Sequence, residues 1–252
     1  MRVSLLNDGF VELVDRMGND YSILRSARVS TGSDVVKGAV KDRGLIRYLY
    51  RNNHITPFEQ VVFTFHMRSP LFVNQQLLRH RSFSFNQESA RYKEFEWSPY
   101  FPDEWRRQDT KNKQGSLDKV SEAEGSIVNA RAKEVYDKAE AFYEEAIEQG
   151  IAREQVRTVM PMGQYTEIFF TVDLRNLLHF LELRMHPHAQ YEIRVYAEAI
   201  HGILMGLPDL KWTMEIFNET TAAKFKFTEL MDLYKNNVVG LIDKLNQIME
   251  EK

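Results

Sequence analysis

Residues 61–67, VVFTFHM, put Val61, Phe63, Phe65 and Met67 on one face with polar or smaller positions between them, and a period of two predicts a half-buried strand. GFVELVD at 9–15 reads as a second, short strand. Most of the remaining apolar positions recur at helical spacing. Asn19 or Asp20 can cap a helix running to about Ala27. A second helix is predicted from about Val36 to Arg51, with Leu45, Ile46, Leu49 and Tyr50 on one side, followed by a loop from His54 to Glu59. Ser69-Pro70 predicts a helix start, Ser as N-cap and Pro as first helical residue, carrying Leu71, Val73, Leu77 and Leu78 toward Arg79. The polar stretch 96–120, with Pro99 and Pro102, reads as a surface loop or insertion. The clearest helix follows over 121–149. Ser121 and Glu124 form a capping box, Val128, Ala132, Val135, Ala139, Phe142 and Ala146 recur at steps of four and three, and Gly150 closes it. So narrow a seam packs against another helix, of the same subunit or of a partner. Asp173 caps a helix to about Arg184 that buries Leu174, Leu177, Leu178 and Leu181. Further helices are predicted over about 189–205 and over 228–252, the last with Leu230, Tyr234, Val238, Leu241 and Leu245 on one side. No repeat or domain boundary interrupts the chain. The expectation is a helix-rich α+β protein with a small antiparallel sheet, one domain over 1–252.

Composition narrows the chemistry more than the fold. A chain of 252 residues, 43% hydrophobic and 27% charged, is long and apolar enough to bury a core and is not a disordered sequence. It contains no Cys, which excludes disulfides, thiolate-bound zinc, iron–sulfur clusters and a cysteine nucleophile. A net charge of −3 gives no overall attraction to nucleic acid or an anionic membrane, so any anion site must be a local cluster of Arg. The N-terminal stretch lacks the apolar run of a signal peptide, and no run of 18 apolar residues occurs; a cytoplasmic protein is the simplest reading.

Such an Arg cluster exists. The chain lacks the glycine-rich phosphate loops, the G-x-S-x-G elbow and H-E-x-x-H. Residues 79–92, RHRSFSFNQESARY, instead crowd three Arg, a His, three Ser, an Asn and a Gln into 14 positions. Guanidinium groups bind phosphate bidentately and hydroxyls complete the shell, so the segment suits a phosphorylated planar ligand, with Phe and Tyr available for stacking. From composition alone, a solvated loop of ion-paired Arg is an equal reading. The stretch also fits R-H-R-x-x-S-x-N-x-x-S-x-R-Y at all eight fixed positions, which chance would give about once in 10⁸ chains of this length.

That pattern resembles the signature of the flavin-dependent thymidylate synthases. GFVELVDRMGNDYSILRSARVS, HITPFEQVVFTFHM and AREQVRTVMPMGQYTEIFFTVDLRNLLHFLELRMHPHAQYEI extend the likeness over roughly residues 1–205, with the loop near 105–120 and the C-terminal tail least alike. The resemblance implies conversion of dUMP to dTMP, with methylenetetrahydrofolate as carbon donor, FAD as hydride carrier and NADPH as reductant, in a homotetramer whose active sites lie at subunit interfaces. It implies that Arg184 stabilises negative charge on the uracil ring, that Arg79 contacts the base, and that Gln76, Gln87, Glu88, Ser89, Ala90, Arg91 and Arg157 complete the dUMP site. For FAD it implies Ser30, Thr56, Glu59, Arg79, His80, Arg81, Gln87, Asp173, Arg175, His179 and His188, with His54 near the flavin and the folate. Gln87 stands where many members carry Glu, keeping a hydrogen-bonding amide and losing the charge.

Plainer roles stand beside these. Arg184 could complement the dipole of its own helix, Asp173 could act only as N-cap, His54 could close a helix, and Arg153 or Arg157 could pair with Glu154. His186 and His188 could suggest a metal pair, but without Cys or a third ligand no metal is expected. The alternative function is a non-catalytic nucleotide- or RNA-binding protein using the Arg-rich segment as a phosphate clamp; the overall acidity and the lack of a long basic face weigh against it.

Overall fold

The computed structural model describes residues 1–32, 36–110, 115–226 and 231. Seven strands are present among them: β1 (Arg2–Leu5), β2 (Gly9–Met17), β3 (Val62–Pro70), β4 (Ser84–Gln87), β5 (Arg106–Gln108), β6 (Ser116–Lys119) and β7 (Tyr165–Asp173). The helices are α1 (Asp20–Val29), α2 (Ala39–Arg51), α3 (Leu71–Leu77), α4 (Glu122–Glu148), α5 (Arg153–Val156), α6 (Leu174–Arg184) and α7 (Tyr191–Met205), and residues 211–226 form one more. Five strands make one antiparallel sheet in the order β1-β2-β3-β7-β4, and β5 and β6 make a separate hairpin.

The register of the central pair shows why the alternation of 61–67 matters. Phe63 lies opposite Val172, Phe65 opposite Phe170 and Met67 opposite Ile168, and all six are buried. This face carries the main core against α1, α2, α6, α7 and the 211–226 helix. The other face is polar: Thr64 and Thr171 share a hydrogen bond of 3.0 Å, His66 stacks on Phe169 with ring centres 4.3 Å apart, and His66 meets Glu167 at 2.8 Å.

Both α1 and α4 start as their sequences predict, each with a complete capping box, Asn19/Ser22 and Ser121/Glu124. Asp20 does something the sequence did not announce. Its buried carboxylate accepts from the Trp212 and Thr213 backbone amides and from the Thr213 hydroxyl, and so caps the 211–226 helix from across the chain. Burial raises its pKa, against the opposing pull of these hydrogen bonds.

Three expectations change. Ser69-Pro70 does not open a helix: β3 continues through Pro70, which pairs with Tyr165, and α3 begins at Leu71. Ser69 donates to the Asn74 side chain and caps nothing, because nine rungs with β7 hold this segment extended. The 96–120 stretch is not a bare loop, since it contains the β5–β6 hairpin, a buried Tyr100 and a bridge from Pro99 to Gln164. The seam of α4 divides. Ala146 is buried beside Tyr143, Val156 and Trp97, whereas Val128, Val135 and Phe142, seven residues apart along one stripe, are exposed. The predicted 228–252 helix lies outside the described residues, apart from Met231.

Candidate active site

Arg184, the last residue of α6, reaches back to the turn that follows α3. Its Nε donates to His80 Nε2 at 3.1 Å, one terminal nitrogen to Gln76 Oε1 at 3.4 Å and the other to the Gln76 carbonyl at 3.3 Å. No carboxylate pairs with it among the described residues, so its charge is not neutralised by any of them. Half-burial lowers the pKa of Arg184 somewhat. It acts more strongly on His80, whose pKa is pushed down to about 4 by burial first, then by Arg184 and His179. A neutral His80 can accept from Arg184, and an imidazolium could not. The His80 ring also meets Phe180 edge-on at 4.9 Å and lies against buried Phe83, which stacks on Phe170 of the sheet. Phe83 of the motif is therefore core, and it fixes where the polar side chains around it emerge.

This arrangement predicts a pH signature. His80 should stay neutral on acidification to about pH 4, read from its ring resonances by NMR. An unfolded chain takes up that proton near the ordinary 6.5, so the contribution of a neutral His80 to stability is complete above about pH 6.5 and is lost as pH falls toward 4. His80→Gln should flatten that part of the stability curve; a ring titrating between pH 6 and 7 would contradict the geometry.

A cleft of about 520 Å³ is lined by Arg51, Asn53, Ile55, Arg175, Asn176, Leu178, His179, Glu182, Thr220 and Lys224, among others, and Glu182 and Lys224 also border a second cleft, which Arg184 and His188 line. The first gathers the loop after α2, the first turns of α6 and the 211–226 helix. Arg175 pairs with Glu59, so two residues expected at a flavin site sit together at one edge. Thr56 opens the short 3₁₀ turn that carries Glu59. Asp173 caps α6, and both its oxygens are taken by Asn176, backbone amide and side chain. The plainer role for Asp173 is thus the observed one. The guanidinium groups of Arg51 and Arg175, with Glu219 at 3.9 Å and Glu59 as their present partners, the His179 ring and the Asn53 amide, beside apolar Ile55 and Leu178, fit a phosphate-bearing planar cofactor such as FAD that displaces those carboxylates.

The second half of the motif faces elsewhere. Arg91 pairs with Glu154 at 3.3 Å, and Arg153 with Glu94 at 2.9 Å, which brings 89–94 alongside α5. Glu154 therefore pairs with Arg91, whereas Arg157 only touches its backbone carbonyl, with Nε at 3.4 Å. Arg79, Arg81 and Arg157 have no carboxylate partner among the described residues, and Arg79 and Arg81 are exposed. Glu88 pairs with Lys93 and accepts weakly from the Glu167 amide, Ser89 Oγ accepts from the Arg91 amide at 3.3 Å, Ala90 is buried, and Gln87 ends β4 opposite Ile168. Ser30 is tied to its own helix end through the Ala27 carbonyl, and exposed His54 meets Tyr48 ring to ring. The His188 amide donates to His186 Nδ1, and the His186 ring packs on Phe225. Among the described residues no three His, Asp or Glu side chains converge as a metal ion needs, and no helix is long and apolar enough to cross a membrane.

Arg51, Asn53, Asn176, Glu182, Thr220 and Lys224 enter the cleft without having been singled out in the sequence. Asn176 sits one residue past Arg175 in the first turn of α6, and Glu182 one turn beyond Leu178; both were visible as polar positions between the leucines of that helix. Thr220 and Lys224 carry no such signal, because the Asp20 contact is what anchors the start of their helix here.

An antiparallel sheet packed on helices, a half-buried Arg184 that no described carboxylate neutralises, and an open cleft lined by Arg51, Arg175 and His179 together define an α+β binding protein for a phosphorylated ring. The family profile described as thymidylate synthase complementing protein matches residues 12–207. Flavin-dependent thymidylate synthases from Thermus thermophilus and Thermosipho africanus are similar to it: 42% identical over 216 residues, covering 84% of this chain and 77% of the relative, and 41% over 221 residues, covering 86% and 94%. A crystal structure of a UMP/dUMP methylase from Streptomyces cacaoi bound with 5-Br dUMP superposes with a TM-score of 0.78 at 35% identity, covering 86% of this chain and 97% of that one. The chain belongs to the flavin-dependent thymidylate synthase family.

Proposed function

We propose that this enzyme methylates dUMP reductively to dTMP, taking the carbon from methylenetetrahydrofolate and the reducing equivalents from NADPH through bound FAD. The observation that carries this reading is Arg184, a half-buried guanidinium held by a neutral imidazole and an amide with no described carboxylate to cancel it. Pointed at a uracil carbonyl, such a group stabilises negative charge as the ring is attacked. Bound FAD supplies hydride transfer, which no side chain can perform. The chain has no Cys to attack the ring, so activation falls to charge and orientation. Arg79, Arg81 and Arg157, the guanidinium groups without a described carboxylate, would hold phosphate bidentately. Arg91 would join them once nucleotide displaces Glu154, with Gln76, Gln87, Glu88, Ser89 and Ala90 around sugar and base. Arg175, His179, Glu59, Thr56, His80 and, less directly, Ser30, Asp173 and His188 would hold the flavin, with His54 at its folate side.

The exposed stripe of Val128, Val135 and Phe142 supports assembly, since a monomer gains nothing by showing it to water. A homotetramer with sites shared between subunits is part of the proposal, and so is a cytoplasmic location, where a nucleotide, a folate and NADPH coexist. One experiment addresses the core of it: sedimentation of the purified protein followed at flavin absorbance. A yellow species of four chains that binds dUMP and is bleached by NADPH is expected, with UMP as the comparison ligand. A colourless monomer that binds neither FAD nor dUMP would leave the phosphate-clamp reading instead.

A further inference from the structure

We propose that Glu192 is a positioning residue that acts on Arg184 through Gln190 and Gln76. The idea rests on the reading of Arg184 given above. Four side chains form one chain of hydrogen bonds. A terminal nitrogen of Arg184 donates to Gln76 Oε1, Gln76 Nε2 donates to Gln190 Oε1, and Gln190 Nε2 donates to Glu192 Oε2 at 2.9 Å. Every link runs the same way, from a cation to an anion.

That direction is not free. An amide can present either its oxygen or its nitrogen, and the two are nearly isosteric. What decides is the end of the chain. Glu192 is 3% exposed and sits in the first turn of α7, where the helix dipole favours a negative charge. Its other oxygen accepts from Arg106 at 2.9 Å and from the Tyr100 hydroxyl at 3.4 Å. A carboxylate fixed in this way can only accept. Gln190 must turn its nitrogen toward it and its oxygen toward Gln76, and Gln76 must then turn its oxygen toward Arg184. Bonds aligned head to tail polarise one another and strengthen the whole. A reversed Gln76 would put an N–H against the guanidinium and push it off its place. Gln190 is the N-cap of α7 but makes no capping hydrogen bond with its side chain, so helix capping does not explain its orientation.

The test is a set of variants of the full-length, FAD-loaded enzyme, assayed in single turnover with dUMP binding measured by calorimetry. Arg184→Ala serves as the reference for the underlying reading. Glu192→Gln and Gln190→Met should each lower the rate about tenfold, the size of one hydrogen bond to a charged group, with the dUMP dissociation constant nearly unchanged. In a Gln76→Met background neither should cost anything further. The exchange Gln190→Glu with Glu192→Gln again presents an acceptor to Gln76 and should restore most of the rate, although it removes the carboxylate from Arg106. A role confined to the Arg106 ion pair would not be rescued. If Arg184→Ala turns over normally, the reading of Arg184 fails. If Arg184→Ala is slow but Gln190→Met keeps the wild-type rate, or its loss multiplies with that of Gln76→Met, the relay is overturned. Because Gln190 is exposed, its variant decides the matter even if Glu192→Gln does not fold.

Discussion

Arg184→Ala should slow single-turnover conversion of dUMP by about 10²–10³, the usual cost of removing one preorganised donor from a developing negative charge. The loss should appear in the rate and far less in FAD affinity, because Arg184 ends α6 while the cleft donors Arg175 and His179 lie in its earlier turns. Arg184→Lys should recover little. Lysine keeps the charge but lacks the planar fork that bonds His80 and Gln76 at once. Normal single-turnover rates in either variant would remove Arg184 from the chemistry.

The second large effect is on stability. Phe170 is 1% exposed at the centre of β7, with its ring 5.3 Å from Phe65 on β3 and 5.6 Å from Phe83 in the Arg-rich segment. Phe170→Ala should cost about 3–5 kcal/mol, the range for truncating a buried aromatic ring. For a chain of this size that lowers Tm by roughly 10 °C in calorimetry. The loss should be accompanied by weaker dUMP binding, since Phe83 holds the turn that positions His80. A variant within about 1 kcal/mol of the wild type would show that the stacked rings carry little of the core.

The legible parts of the sequence were those whose cause is local. Capping boxes, the alternation at 61–67 and the motif at 79–92 depend on neighbours a few residues away. Strand β7 was missed as a strand because Phe169 and Phe170 are adjacent and interrupt the alternation, and because its pairing with β3 spans about a hundred residues. Ser69-Pro70 looked like a helix start on local grounds, but that same long-range ladder prevails. At the site, the residue types were evident and their partners were not. The spacing of Arg184 and His80 says nothing of a hydrogen bond between them, and Glu154 looked like a partner for Arg153 or Arg157, whereas it faces Arg91. Asp20 shows the limit most plainly: an acid in the first turn of one helix reads as ordinary until Trp212 and Thr213 arrive from late in the chain.

That contact bears on what an inhibitor can reach. The helix it holds lies beyond residues 12–207, the span that matches the family profile, yet supplies Thr220 and Lys224 to the cleft rim. A compound that mimics only the nucleotide would meet groups from the stretch that defines the family. One extended toward that rim would also meet Thr220 and Lys224, whose place in the cleft depends on Asp20 from near the start of the chain.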